Sequence, residues 1–94
     1  METYQQAFIE LLVRHEVLRF GDFTLKSGRR SPYFVNAGQF RTGAAISGLG
    51  RAYAACMRRA ALSCDLVFGP SYKGVPLAVA TVIALAEQGQ DTPF

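Results

Sequence analysis

The sequence is poor in histidine and cysteine, with His15, Cys56 and Cys64 as the only examples. One histidine argues against a histidine metal cluster or a Ser-His-Asp triad within the chain, and it suits a surface or boundary position. Two cysteines are too few for a disulfide framework, and their spacing matches no zinc-ligand pattern. We therefore expect two reduced, largely buried thiols.

A membrane-spanning run and a targeting segment are also missing. The longest strongly apolar run, Val75 to Ala86, is too short to cross a bilayer. Residues 1–6 have neither the basic region nor the apolar region of a secretory signal. These absences predict a cytoplasmic protein that has no membrane partner.

The chain has enough apolar content for one small domain. It has 94 residues, of which 50% are hydrophobic and 18% are charged, so we expect a packed globular body rather than disorder. Its net charge of +3 is concentrated in the middle, where Asp22 is the only acid. The eight basic residues there are Arg19, Lys26, Arg29, Arg30, Arg41, Arg51, Arg58 and Arg59. A basic middle favours anionic partners: nucleic acid, phosphorylated small molecules or an acidic protein surface.

Periodicity predicts an α/β order along the chain. A helix is expected over Thr3 to Glu16, with Thr3 and Gln6 spaced as a capping box. Alternating residues then predict a β-hairpin around a basic turn, from Val17 to Gly38. Thr42 is expected to cap a second helix, whose predicted apolar face comprises Ile46, Leu49, Tyr53, Met57 and Ala60.

The last third of the sequence predicts a strand, a loop and a helix. Leu66 to Phe68 is continuously apolar, which is typical of a parallel strand covered on both faces. An apolar helix follows over Val75 to Gln88, with Gly89 as its stop, and Pro93-Phe94 begins the next strand. This order is the first part of an α/β fold with a βαβ crossover. In the second helix, Gly48 and Gly50 predict the close approach of another element.

The loop from Gly69 to Gly74 predicts an anion site. It lies between the strand and the apolar helix, so Lys73 and several free backbone N–H groups are expected at the helix N-terminus. The spacing is not that of a Walker A motif. On composition alone, an ordinary strand-to-helix turn with an exposed lysine is favoured over an anion site.

The hairpin is a second candidate site. Lys26 ends one strand, and the other strand carries Tyr33 and Phe34 in succession. Neighbouring strand residues point to opposite faces, so only one of these rings joins the core easily and the other is free to stack on a flat ligand. From the pattern alone, packing of both rings in the core or within the hairpin is favoured over stacking on a ligand. Aromatic residues beside Arg29 and Arg30 also fit a small binder of single-stranded nucleic acid.

Two motifs carry a resemblance to a known family. Residues 20–38, FGDFTLKSGRRSPYFVNAG, closely resemble the N-terminal region of bacterial orotate phosphoribosyltransferases, and residues 68–78, FGPSYKGVPLA, continue the likeness. Both motifs at this spacing are highly specific. The resemblance implies a type I phosphoribosyltransferase fold: an α/β, Rossmann-like parallel sheet with an N-terminal helix and a β-hairpin, truncated after the first βα unit. Residues 1–94 are then the N-terminal part of a single domain.

The resemblance also implies an activity. Orotate and phosphoribosyl pyrophosphate would give orotidine 5′-monophosphate and pyrophosphate in pyrimidine synthesis, on a homodimer with shared sites. Mg²⁺ would be held mainly through the substrate's pyrophosphate, and no residue of this chain is assigned as a metal ligand. The implied site residues are Lys26, Tyr72 and Lys73 for phosphoribosyl pyrophosphate, and Phe34 and Val35 for orotate, with Phe34 stacking. Lys26 and Lys73 would stabilise the charge of the leaving pyrophosphate.

The sequence departs from the family pattern in ways that bear on activity. Val35 stands where many members have a second aromatic residue. The family's acidic pair with its Thr/Gly-rich phosphate loop is missing, since Asp22, Asp65 and Asp91 are isolated. The lysine-rich hood is missing as well. We therefore expect the 94-residue chain to be inactive alone.

Two other functions stay open from the sequence. The basic face and the apolar last helix suit a truncated assembly module that docks on a full-length subunit or another protein. A nucleic-acid binder ranks below it, because phosphate substrates explain the basic residues equally well and no RNP motif, KH loop or zinc finger is present. We accordingly expect no nucleic-acid partner.

Overall fold

The computed structural model describes all residues from Met1 to Phe94, and its first element is helix α1, Thr3–Arg14. The helix stops two residues before the predicted end, because Glu16 adopts a left-handed φ of 58°. The chain then folds back, and the Val17 N–H donates to the Leu12 carbonyl at 2.9 Å. This reversal sends the chain directly into the hairpin.

Helix α1 begins at Thr3 as predicted, but its capping pair differs from the predicted pair by one residue. The Gln5 side-chain oxygen accepts a hydrogen bond from the backbone N–H of Glu2 at 3.0 Å. Glu2 is therefore the N-cap and its partner is Gln5, whereas Thr3 and Gln6 both lie within the helix. The capping box therefore uses Glu2 and Gln5 in place of Thr3 and Gln6. Both pairs have the required spacing of three residues and suitable side chains.

The predicted β-hairpin is confirmed. Strands β1, Leu18–Thr24, and β2, Arg30–Val35, pair antiparallel as the only sheet. The pairing slips between Phe20 and Phe23, where two residues of β1 face Pro32 alone. Proline has no N–H to donate, so the bulge lies where the ladder lacks a donor.

Helix α2, Gly43–Arg59, begins as predicted at Thr42, whose hydroxyl oxygen accepts from the Ala45 N–H at 3.2 Å. The predicted apolar face of α2 is only partly buried, and its exposed members are Tyr53 and Ala60. The main core joins the end of α1, the base of the hairpin and the start of α2. Its buried residues are Leu11, Val17, Phe40, Ala45 and Leu49.

Helix α3, Gly74–Glu87, packs closely on α2. A Cβ at Gly50 would lie 2.4 Å from the Ala80 carbonyl oxygen, so the two backbones meet with no room for a side chain. A Cβ at Gly48 would similarly lie 2.8 Å from the Leu11 side chain. The predicted close approach at both glycines is confirmed. Gly89, with a φ of 90°, follows α3 as its predicted stop.

The predicted strand at Leu66 to Phe68 is wrong for this chain. The segment pairs with no strand, and Phe68 is 79% exposed. One backbone hydrogen bond, from the Val67 N–H to the Pro93 carbonyl at 3.0 Å, joins it to the start of the predicted next strand. A buried parallel strand needs a ladder on its edges and cover on both faces, and residues 1–94 provide neither here.

The cysteines also differ from expectation. Cys56 and Cys64 are both free and both exposed, so the prediction of buried thiols is wrong. Cys56 lies on α2 and lines a cavity together with residues of α3, whereas Cys64 lies on the exposed segment after α2. None of the helices is long and apolar enough to cross a membrane.

Substitution of Gly50 tests the contact between α2 and α3. Gly50→Ala is expected to lower the free energy of unfolding by about 1–2 kcal/mol, because overlap with a rigid carbonyl outweighs the better helix propensity of alanine. The measurement is the urea midpoint. Gly43→Ala is the matched control, since a Cβ there meets nothing within 4 Å. Equal midpoints for the two variants would contradict the close contact.

Candidate functional site

In the loop before α3, the backbone at Gly69 lies in direct contact with the backbone at Gly74. We call this contact the glycine crossing. A Cβ at Gly69 would lie 1.8 Å from the Gly74 carbonyl oxygen, and one at Gly74 would lie 2.6 Å from the Pro70 ring. No other residue type fits at either position without opening the loop. The crossing therefore fixes the four intervening residues at the start of α3, where the sequence predicts an anion site.

The free donors of this loop are not those that the sequence predicts. The first helical N–H groups are already engaged, since Gly74 donates to Pro70 at 2.9 Å and Val75 donates to Tyr72 at 3.3 Å. Pro76, next in the helix, has no N–H. The unpaired donors lie just before the helix: the backbone N–H groups of residues 71–73 have no acceptor within the protein. The free donors at the predicted anion site thus belong to the loop rather than to the first turn.

The side chains of the loop are open to solvent. Tyr72 is 93% exposed, and Lys73, the N-cap residue of α3, forms neither an ion pair nor a side-chain hydrogen bond. The peptide bond between Ser71 and Tyr72 is cis. Two of the predicted phosphoribosyl pyrophosphate residues are therefore adjacent, exposed and unengaged.

The hairpin presents the other predicted residues. Lys26 lies in the exposed turn between β1 and β2. Phe34 is 38% exposed and its ring centroid lies 5.8 Å from that of Phe23, with the planes tilted by 34°. Tyr33 and Val35 are more exposed, at 52% and 53%. Neither of the two adjacent rings joins the core, because the two-stranded hairpin lacks a layer that could cover them.

The predicted site residues do not meet in one cavity. Lys73 lines a cavity of about 360 Å³ between the starts of α2 and α3. Lys26, Phe34, Val35 and Tyr72 line none of the cavities. The hairpin contacts α1 through β1 and has no close packing with α2 or α3. The structure therefore shows two exposed half-sites on separate elements.

Arg41 is a candidate that the sequence reasoning missed. It lines the same cavity as Lys73, directly before the Thr42 cap. The sequence feature that could have indicated it is an arginine directly before a helix-capping threonine. A side chain at that position stays near the start of the helix. By sequence alone, Arg41 is distinguished only as one of the eight basic residues of the middle region.

The charges around the candidate site are largely uncompensated. Asp22 is paired with Arg30 across the hairpin, and the remaining ion pair joins Glu2 to Arg59 far along the chain. Both pairs are exposed and contribute little stability. Lys26 takes part in neither ion pair, so the charge of the hairpin turn is not neutralised by a carboxylate.

The groups with shifted pKa values lie outside the candidate site. The hydrogen bond with Glu2 raises the pKa of the Arg59 guanidinium. Partial burial, followed by the neighbouring Cys56, raises the pKa of the Tyr4 phenol. Both shifts arise from contacts between the start of α1 and the last turns of α2.

No group of three or more His, Cys, Asp or Glu residues is placed to hold a metal ion. The isolated aspartates are far apart in sequence and belong to different segments.

Comparison with solved structures identifies the class of fold. The chain matches the crystal structure of an orotate phosphoribosyltransferase from Francisella tularensis with a TM-score of 0.84 and 48% identity, covering 90% of this chain and 43% of that one. It matches UMP synthase from Leishmania donovani with a TM-score of 0.70 and 30% identity, covering 90% and 18%. The fold is thus that of a truncated α/β unit of the type I phosphoribosyltransferases, as the resemblance implied.

Sequence relatives narrow this class. The chain is 58% identical to the orotate phosphoribosyltransferase of Cellvibrio japonicus and 57% identical to that of Pseudomonas fluorescens, in each case over 100% of this chain and 44% of the relative. It corresponds to the N-terminal part of orotate phosphoribosyltransferases, and the resemblance drawn from the two motifs is confirmed. The chain spans less than half the length of these curated relatives. No protein-family model matches it.

Substitution of Gly69 tests the glycine crossing. Gly69→Ala is expected to lower the free energy of unfolding by about 1–3 kcal/mol and to shift the backbone amide resonance of Lys73, because the loop must open to admit a Cβ. Urea unfolding and amide NMR spectra provide the measurements. Ser71→Ala, an exposed change in the same loop, is the control. A Gly69→Ala spectrum that matches the unsubstituted chain around Lys73 would refute the crossing.

Proposed function

We propose that residues 1–94 form part of an orotate phosphoribosyltransferase, which converts orotate and phosphoribosyl pyrophosphate to orotidine 5′-monophosphate and pyrophosphate. The 58% identity over the whole chain to the Cellvibrio japonicus relative carries this proposal. The exposed lysines on two half-sites support it, because the reaction needs positive charge around a phosphorylated substrate.

The loop and the hairpin turn are proposed to stabilise the leaving pyrophosphate. Breaking the bond between ribose and pyrophosphate leaves negative charge on the pyrophosphate oxygens. Lys73 and the unpaired N–H groups of residues 71–73 supply fixed donors from one side, and Lys26 supplies a mobile cation from the hairpin. Tyr72 lies beside Lys73 to position the same substrate. Mg²⁺, carried by the pyrophosphate itself, adds further charge stabilisation.

Phe34 and Val35 are proposed to receive orotate. The tilted contact with Phe23 holds the Phe34 ring while part of it stays exposed, which suits stacking on a flat base. Val35 follows on the strand and offers its backbone groups and a small apolar surface. A single aromatic ring then carries the stacking.

We also propose a homodimer with shared sites, located in the cytoplasm and without a nucleic-acid or membrane partner. Large apolar side chains at the surface, such as Phe20 at 72% and Phe68 at 79%, support a covering protein surface. Two free, exposed thiols suit a reducing compartment.

A chimeric enzyme tests the activity. Residues 1–94 in place of the matching segment of the Cellvibrio japonicus relative are expected to give an enzyme that forms orotidine 5′-monophosphate. Lys73→Ala or Lys26→Ala in the chimera is expected to lower kcat/KM by about a hundredfold, since each removes a cation from the developing charge. Arg58→Gln, a change of an exposed cation at the far end of α2, is the control and should leave the rate unchanged.

Two results would contradict these expectations, one from the chimera and one from the isolated chain. A folded chimera without activity would contradict the assignment. The isolated 94-residue chain is expected to give no product with orotate, phosphoribosyl pyrophosphate and Mg²⁺, because it has no acidic pair with a ribose-phosphate loop. Product from the isolated chain would contradict that expectation.

The aromatic half-site has its own test. Phe34→Leu in the chimera is expected to raise the KM for orotate by about tenfold, in line with about 1 kcal/mol or more for a lost aromatic contact, with little change in the KM for phosphoribosyl pyrophosphate. Phe20→Leu removes a more exposed ring from the same hairpin and is the matched control. Equal orotate KM values for the two variants would exclude stacking on Phe34.

A docking role is a second candidate, favoured by exposure of Leu66 at 53% and Ile83 at 56% near the unpaired segment and α3. In that case the chain would assemble on a full-length subunit. Sedimentation would then show a complex, and orotate would leave the melting temperature of the chain unchanged. A monomer that orotate stabilises would exclude this role.

A further inference from the structure

The cavity between the starts of α2 and α3 contains two cations. Arg41, the residue before the α2 cap, and Lys73, the N-cap residue of α3, both line it. They come from distant parts of the sequence and meet only because α2 and α3 pack closely. A volume of about 360 Å³ leaves room for a small ligand between them.

No carboxylate compensates this pair of charges. The cavity lining contains no aspartate or glutamate. Neither Arg41 nor Lys73 takes part in the ion pairs of the structure, which use Arg30 and Arg59. Two like charges on one cavity repel each other, and an anion that binds between them relieves this repulsion.

The polar and apolar parts of the lining define the kind of anion. Thr42 also lines the cavity, and its hydroxyl oxygen accepts from the Ala45 N–H, which leaves the hydroxyl proton free to donate. Phe40 and Leu77 form part of the apolar wall. The lining thus combines Arg41, Lys73 and the Thr42 hydroxyl with an apolar wall, which suits a compact phosphate or diphosphate group rather than an extended polyanion.

We propose that Arg41 is a further anion-binding residue that acts with Lys73, and that their cavity takes a diphosphate group. The assignment of this diphosphate to the pyrophosphate of phosphoribosyl pyrophosphate rests on the proposed function. Arg41 supplies a planar fork of donors, which can bind two phosphate oxygens at once, whereas Lys73 supplies a point charge.

Titration of the 94-residue chain with inorganic pyrophosphate tests this proposal, without added divalent cations and at low salt. Arg41→Gln and Lys73→Gln are each expected to weaken binding by about threefold to fivefold, the range for an exposed charge contact. Arg41→Lys keeps the charge and is expected to retain most of the affinity. Arg58→Gln, at the opposite end of α2 and outside this cavity, is the control. Binding should vanish at an ionic strength of about 1 M, where the Debye length is about 3 Å.

The outcomes separate this proposal from the enzyme assignment. Unchanged pyrophosphate affinity in Arg41→Gln overturns the role of Arg41, even if the chimera is active. Weakened affinity in both glutamine variants together with an inactive chimera supports the anion site and removes the enzymatic assignment. Equal weakening by Arg58→Gln would show attraction to net charge alone and would also overturn the proposal. Far-UV circular dichroism checks that every variant keeps its helices.

Discussion

The close packing of α2 on α3 is the contact on which the arrangement of the candidate site depends. Gly50 admits the Ala80 carbonyl because it has no side chain, so the two helices approach to backbone contact. The contact lies a similar number of residues from the start of each helix. The starts of both helices therefore come together, and the cavity with Arg41 and Lys73 forms there. A wider separation would leave these cations as unrelated surface charges.

A second backbone contact sets the shape of the loop itself. The crossing of Gly69 and Gly74 closes the loop tightly and engages the first N–H groups of α3 internally. The donors of residues 71–73 are left outward, because their positions in the loop have no acceptor in reach. Binding capacity thus comes from a constrained loop, with the helix serving as its support. The two contacts share a principle: glycine permits backbone proximity, and proximity positions the charged groups.

Local signals were sufficient to predict much of this fold. The hairpin, the Thr42 cap, the Gly89 stop and the two close-approach glycines follow from residue type and spacing, and the structure has all of them. The predicted strand at Leu66 to Phe68 failed because strand formation requires neighbours. Its single bond to Pro93 is the part of that pairing that these residues can make. The prediction of buried thiols was wrong for a related reason: burial depends on what packs against the segment that carries the cysteine, and cysteine composition alone does not give that packing.

The residues of the candidate site also differ in how far they can be predicted: some follow from local sequence motifs, whereas one depends on tertiary packing. Motif similarity predicts roles for Lys26, Phe34 and Lys73 because each lies within a short contiguous signature. Arg41 lies in no such signature, and its relation to Lys73 exists only through the packing of α2 on α3. The cavity therefore ties anion binding to helix packing: any change that separates the two helices also separates the two cations. In this chain the same glycine at position 50 supports both the stability of the helix pair and the electrostatic field at its open end.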